Sequence, residues 1–137
     1  MDTVGSFVPE TAAQARERYE ALGPTAQVLV REVTKAMDFD AEEYDRRVTG
    51  EVVETARDVL FASLLAVRVG TREEYETWRA DADHEVVEVG SEHVDHAVWH
   101  APPFAEEAVA ATYQDERRAA VEALRRQALG RIYSGVV

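Results

Sequence analysis

Apolar residues in the first half of the chain recur at helical spacing. Ala12, Ala15, Tyr19 and Leu22 share one helical face behind a capping box that begins at Thr11. We expect Gly23, followed by Pro24, to end this helix in the left-handed conformation. Further stripes predict a helix that buries Ala26, Leu29, Val30, Val33 and Met37, a short helix over residues 41–48, and a helix over residues 51–65 with Val53, Ala56, Leu60 and Leu64 on one face.

The pattern changes near Ala66. Residues 66–70 are β-branched and end in glycine, which predicts a strand, and a capping box at Thr71 opens a short helix with Tyr75 and Trp78. Two more strands, over residues 84–89 and 94–100, flank a turn at Gly90-Ser91 and predict a hairpin. Residues 109–113 favour a fourth strand, with an extension of the last helix as the alternative. Residues 115–133 predict a long amphipathic helix with Val121, Leu124, Ala128 and Ile132 buried.

The predicted order is four helices followed by β-α-β-β-β-α. This order indicates one α+β domain over residues 1–137: an N-terminal helical bundle followed by a small, mainly antiparallel sheet and a long C-terminal helix. The chain contains no internal repeat and no low-complexity segment.

Composition excludes several kinds of site. The 137 residues include no cysteine, so disulfides, thiolate zinc sites, iron–sulfur clusters and cysteine nucleophiles are excluded. The longest apolar stretch covers residues 59–67, whereas a membrane span needs about twenty residues. The start lacks the basic and apolar regions of a secretory signal. We therefore expect a soluble, cytoplasmic protein without a membrane partner.

The charge balance points to an environment. Lys and Arg number 15 and Asp and Glu number 27, a net charge of -12, which argues against broad binding to nucleic acid. Lys35 is the only lysine. Self-repulsion at this charge destabilises the folded state, and molar salt shortens the Debye length to about 3 Å, which largely removes that cost. We expect a halophilic protein; the alternative is an ordinary acidic protein from a GC-rich genome.

Histidines concentrate in one segment. His93, His96 and His100 lie close to Glu92 and Asp95, and imidazole and carboxylate groups bind zinc and other transition metals. On a strand, however, His96 and His100 share a face about 13 Å apart, too far for one ion. The three histidines are therefore candidate metal ligands, and the simpler interpretation is that they are polar residues on the exposed face and turn of a hairpin.

The last helix departs from the overall charge. Residues 114–137 carry a net charge of +2 and the remaining residues carry -14. Arg118, Arg125 and Arg126 share one flank of this helix and are candidates for binding phosphate or an acidic partner. The simpler interpretation is local pairing, because Glu122 lies three or four residues from each of them.

The order of elements from Thr71 to Tyr133 is similar to that of double-stranded-RNA-binding domains, with Arg117-Arg118-Ala119 where that family begins its basic helix. Those domains are rich in lysine and carry a glycine-containing loop before that helix. This chain has Gln114-Asp115-Glu116 there, which removes the phosphate-binding chemistry. We therefore expect nucleic acid to be an improbable partner.

Three segments resemble a family of small uncharacterised haloarchaeal proteins: Tyr19–Pro24, Arg31–Asp40 and Arg125–Tyr133. The resemblance extends over nearly the whole chain. It implies a salt-rich cytoplasm and carries no activity, cofactor or site residue with it.

These observations leave three hypotheses for function. Because the chain has no glycine-rich phosphate loop, G-x-S-x-G elbow or H-E-x-x-H motif, the first is a non-enzymatic interaction or structural module without a cofactor, which binds itself as a homodimer or binds another protein. Apolar surface around Trp78, Trp99 and Phe104 is expected to support self-association. The alternatives are a metal-dependent enzyme or metal-binding protein that uses the hairpin histidines, and an RNA-binding module that uses the last helix.

Overall fold

The computed structural model describes residues 1–137. Its strands are β1 (Asp2–Val4), β2 (Val67–Thr71), β3 (Glu85–Val89), β4 (His96–His100) and β5 (Glu107–Tyr113). Its helices are α1 (Ala12–Ala21), α2 (Gly23–Ala36), α3 (Ala41–Arg47), α4 (Gly50–Leu64), α5 (Arg72–Asp81) and α6 (Arg117–Ala128), and α6 continues into a π-helical turn over Leu129–Tyr133. The α+β class is confirmed, and residues 109–113 belong to a strand. No helix combines the length and apolar character needed to cross a bilayer.

Side-chain caps begin the helices where the sequence predicts them. At α5 the Thr71 hydroxyl accepts a hydrogen bond from the Glu74 amide at 3.1 Å, and the Glu74 carboxylate accepts one from the Thr71 amide at 2.9 Å. That bond from the Thr71 backbone is the main reason that the pKa of Glu74 is lowered. Thr11 and Asp40 likewise accept hydrogen bonds from Gln14 and Glu43. Such caps contribute about 1 kcal/mol each.

The predicted left-handed helix end at Gly23 is wrong. Leu22 has right-handed helical geometry, and α2 begins at Gly23 itself, with Pro24 in its first turn. Glycine has a different use here, because a side chain at position 23 would collide with the guanidinium group of Arg57 on α4. The left-handed residue lies at the other end of α2, where Asp38 has a φ of 57°.

The five strands form one mixed sheet in the order β1-β2-β4-β5-β3. Every neighbouring pair is antiparallel except β3 and β5, which are parallel. The predicted hairpin of residues 84–89 and 94–100 is therefore wrong, because β5 lies between β3 and β4. The apolar run Ala108–Ala111 is buried throughout, which requires a neighbour on each side, whereas β3 is exposed at both ends and forms an edge.

The strand β1 was not predicted, because three residues show no clear alternation of apolar and polar positions. It pairs with β2 in the register Asp2–Val69 and Val4–Val67. Gly5 then turns the chain with a φ of 89°, close to the Leu65 carbonyl, where a side chain would not fit. This strand covers an edge of β2 that would otherwise be open.

The larger core lies on the sheet face covered by α6, α4 and α1. The predicted α6 residues Val121, Leu124, Ala128 and Ile132 are all buried there. At its centre the ring of Phe61 makes edge-to-face contacts with three other rings, at centroid distances of 5.9 Å to Phe7, 5.7 Å to Tyr19 and 5.2 Å to Tyr133. Such pairs stabilise a core beyond the area that they bury.

The opposite sheet face is smaller and is covered by α5. Tyr75 of α5 packs with Ala97, Trp99 and Ala110 of the sheet, and Trp78 lies against them. The Tyr75 hydroxyl donates a hydrogen bond to Glu88 at 2.8 Å, and burial together with this bond raises the pKa of Tyr75. The apolar surface expected around Trp78, Trp99 and Phe104 is thus wrong in part, because Trp99 is only 1% exposed and the other two are half-buried.

The helix α2 lies outside both of these cores and packs against α4 and α1. Of its predicted buried residues, Ala26 and Val30 are buried. Leu29, Val33 and Met37 are exposed, so this part of the predicted stripe is wrong. The following helix α3 contains no buried residue.

Candidate interaction surface

The three candidate histidines do not come together. His93 is exposed in the turn before β4, and His96 stacks on Tyr113 with ring centroids 5.3 Å apart. His100 is buried at the other end of β4, only 2% exposed. No three His, Asp or Glu side chains converge in an arrangement able to hold a metal ion. The geometry therefore provides no support for a metal site at these residues.

His100 has a structural environment instead. Its Nδ1 lies 2.7 Å from the Ala66 carbonyl oxygen, and its Nε2 lies 2.7 Å from the Tyr133 hydroxyl. Because a carbonyl only accepts, Nδ1 carries the proton, and Nε2 accepts from the hydroxyl. Burial lowers the pKa of His100 and raises that of Tyr133, which favours this neutral pair. Both ring nitrogens are thus committed to hydrogen bonds that join β4 to β2 and to the turn after α6.

The three candidate arginines have three different environments. Arg118 is exposed and forms a surface ion pair with Glu122 at 3.4 Å. Arg125 points inward: its Nε donates to the Leu65 carbonyl at 3.1 Å and its Nη2 to the Val4 carbonyl at 3.2 Å. Arg126 is exposed and forms no ion pair. The helix therefore presents one unpaired cation of the three, rather than an open patch.

Apolar side chains are exposed mainly on one part of the molecule. The structure has nine exposed large hydrophobic residues, and six of them belong to α2, its C-terminal cap and α4. Five of these six line the two grooves beside α4, and we name them the α2–α4 face: Leu29, Val33, Met37, Val52 and Val59. Val59 is 62% exposed and Met37 is 58% exposed. Single exposed valines are ordinary, but such a concentration is typical of an interaction surface.

An apolar groove of about 410 Å³ runs through this face between α2 and α4. Leu29, Val33 and Met37 form one side, and Val52 forms part of the other. The groove is closed at one end by Phe39, whose ring lies 5.4 Å beneath the guanidinium carbon of Arg47. No carboxylate lines it, so its surface suits apolar side chains.

A second groove, of about 480 Å³, lies between α4 and α6. Its apolar lining residues include Val59 and Leu129, and its charged ones are of both signs: Asp58, Glu122, Arg125 and Arg126. Thr55 lines both grooves and connects them along α4. The apolar surface of the α2–α4 face therefore ends beside an unpaired cation.

Sequence reasoning did not find this surface, although a signal was present. The helix α2 carries apolar residues at positions 26, 28, 29, 30, 33 and 36, with Met37 directly after them. This arc is wider than the stripe that one neighbouring helix covers. An arc of this width indicates that a second element of the chain, or a partner molecule, covers part of it. The helix α3 contains no buried residue and therefore does not provide that cover.

The fold and this surface define a small α+β protein with an apolar helical face that has no partner within the chain. The chain belongs to DUF5809, a family of unknown function whose family model matches residues 6–134. The predicted membership of an uncharacterised family is thereby confirmed. No curated protein and no solved structure matches the chain.

Proposed function

We propose that this protein is an interaction module that forms a two-fold homodimer through its α2–α4 face. The observation that carries the proposal is the concentration there of five of the nine exposed large hydrophobic residues. The face is complementary to a second copy of itself, both in the spacing of its apolar residues and in its charges.

The spacing on α4 is self-complementary. Val52 and Val59 lie two helical turns apart, about 10.5 Å along the axis, with Thr55 between them. In a two-fold interface the same patch of both subunits meets. If two copies of α4 cross antiparallel near Thr55, Val52 of each copy contacts Val59 of the other. Both valines, which are 41% and 62% exposed in one chain, then leave water.

The charges on this face favour the same orientation. Glu51 is exposed at the start of α4, whereas Arg126 stands beside its second half, next to Val59. The two carboxylates that line the groove with Arg126 already have partners within the chain: Asp58 accepts a hydrogen bond from Tyr19, and Glu122 pairs with Arg118. Antiparallel packing places Glu51 of one copy opposite the unpaired Arg126 of the other. Such a pair on the rim contributes little affinity but selects the orientation.

The proposal is tested by the molar mass in solution. Light scattering after size exclusion in multimolar KCl is expected to give a dimer that dissociates on dilution. Val59→Asp places a charge against Val52 of the other copy and is expected to weaken dimerisation about tenfold or more. Val89→Asp is the matched control, because Val89 is 48% exposed on the edge strand β3, outside the α2–α4 face. A wild-type monomer at high concentration, or equal effects of both variants, would overturn the proposal.

A charge exchange tests the antiparallel orientation. At the lowest salt that keeps the protein folded, Arg126→Glu is expected to weaken the dimer, and adding Glu51→Arg to it is expected to restore part of the affinity. The effect decreases as KCl rises, because salt screens exposed pairs. If the double variant is weaker than Arg126→Glu alone, the antiparallel crossing is wrong.

The setting we propose is a salt-rich cytoplasm. The support is the net charge of -12 with a single lysine, since self-repulsion at this charge is relieved by salt. The melting temperature followed by circular dichroism is expected to rise with KCl concentration. A melting temperature independent of KCl would contradict this part of the proposal.

A further inference from the structure

A cavity of about 240 Å³ lies at the end of the sheet where β2 begins and β4 ends. Thr3 of β1, Arg68 of β2 and Trp99 of β4 form a continuous row across it, because Thr3 pairs with Arg68 and Arg68 pairs with Trp99. Paired residues project from the same sheet face. Trp78 at the end of α5 and His84 before β3 complete this side of the wall. The cavity is thus remote from the α2–α4 face.

The charge of this wall is opposite to that of the protein. The chain carries an excess of twelve negative charges, yet no Asp or Glu lines the cavity. Arg68 lines it and forms no ion pair. A guanidinium group offers a planar fork of donors that matches a carboxylate. The wall therefore attracts anions, whereas the negative charge on the rest of the surface repels them.

Aromatic rings supply the second feature of the wall. The indoles of Trp78 and Trp99 are stacked, with centroids 5.6 Å apart. Trp99 is 1% exposed, and its buried indole N–H has no acceptor in the protein. Indole surface favours a flat, apolar ligand body.

The two imidazoles that line the cavity, those of His84 and His100, form hydrogen bonds within the protein. His84 Nε2 lies 2.9 Å from the Pro102 carbonyl oxygen and therefore donates to it. Burial lowers the pKa of His100, so that ring is neutral. Arg68 is therefore the permanent positive charge of the cavity.

We propose that this cavity binds a small aromatic carboxylate, with the carboxylate on the Arg68 guanidinium and the ring against the accessible surface of Trp78, whose indole stacks on that of Trp99. The volume is below the range of about 300–1,000 Å³ that is usual for drug-sized ligands, so a single ring suits it. Binding here is independent of dimerisation.

The two tryptophans make the test direct, since they are the only tryptophans in the chain and both lie in this wall. Benzoate is titrated at constant KCl while tryptophan fluorescence is followed, with benzamide, acetate and inorganic phosphate as comparison probes. A saturable change with benzoate alone is expected. In a two-dimensional spectrum of the ¹⁵N-labelled protein, the indole N–H signal of Trp99, assigned by its absence in Trp99→Phe, is expected to shift with benzoate.

Arg68→Met is expected to weaken benzoate binding about tenfold or more, because it removes a charge-assisted bond. Arg31→Met is the matched control, since Arg31 is an exposed arginine on α2. Circular dichroism verifies that both variants are folded. The proposal is overturned if benzoate gives no saturable change, if benzamide binds as well as benzoate, if phosphate or acetate binds as well as benzoate, or if Arg68→Met binds like Arg31→Met.

Discussion

The two faces of helix α4 have opposite surroundings. Towards its C-terminal end Phe61 is fully buried among three aromatic rings, whereas Val59, two residues earlier, is 62% exposed on the α2–α4 face. Towards its start Val52 is also exposed. One helix thus contributes to a closed core on one side and to an open surface on the other. The difference arises because other elements of the fold cover only the first side.

Polar groups follow the same division. On the closed side, His100 and Arg125 are bonded to main-chain carbonyls, and the Tyr19 hydroxyl donates to Asp58 at 2.6 Å. Burial raises the pKa of Tyr19 to about 12. On the open side, Arg126 is exposed and unpaired beside apolar residues. Buried polar groups need such partners, and the unpartnered ones at the surface are available for intermolecular contacts.

The largest expected difference concerns Phe61 and Val59. Phe61→Ala removes the ring at the centre of the core, and we expect it to lower the free energy of unfolding by about 3–5 kcal/mol. Val59→Ala is expected to change the free energy of unfolding of the monomer by no more than about 0.5 kcal/mol. Denaturant unfolding at constant KCl and low protein concentration measures both values. Similar costs for the two substitutions would mean that Val59 is buried within one chain.

The next difference concerns two adjacent arginines. Arg125→Met leaves the carbonyls of Val4 and Leu65 without their donors, and we expect it to cost about 1–3 kcal/mol of stability. Burial lowers the pKa of Arg125, but its guanidinium group still carries its charge. Arg126→Met is the control and is expected to cost at most about 0.5 kcal/mol, measured by the same unfolding experiment. Equal costs would contradict the inward position of Arg125.

The smallest effect is the pH dependence that His100 confers. The folded state holds this imidazole neutral, because burial lowers its pKa, whereas the unfolded chain takes up a proton below about pH 6.5. The contribution of His100 to the free energy of unfolding is therefore fully present above that pH. It falls as the pH decreases, by up to about 1.4 kcal/mol per pH unit.

His100→Gln removes this contribution, so the slope between about pH 6.5 and pH 5 is expected to flatten relative to the wild type. The other three histidines are present in both proteins, which makes the difference in slope specific to His100. Denaturant unfolding at several pH values measures it. An unchanged slope would mean that the folded state accepts the proton.

The sequence predicts the elements that depend on local signals. Capping residues such as Thr71 and the apolar stripe of α6 are encoded within a few neighbouring positions, and the structure confirms both. The fold class follows from them. The α2–α4 face does not, because helical spacing shows that Leu29 and Met37 are apolar but not whether another element covers them.

The remaining differences arise from contacts that are distant in sequence. Alternation places His100 on the same face as Val98, but only the fold brings Tyr133 to its Nε2. The position of β5 between β3 and β4 depends on competition among strands for neighbours. Likewise, Arg68 and Trp99 become adjacent only through the pairing of β2 with β4.

The position of β3 has a consequence for how the chain acquires its structure during synthesis. Its only neighbour is β5, which follows it by almost twenty residues and must itself pair with β4. During synthesis, β3 is therefore complete before its pairing partner β5 has been added to the chain. We therefore expect β3 to join the sheet after β5 has paired with β4, and its amide hydrogens to exchange with solvent sooner than those of β4.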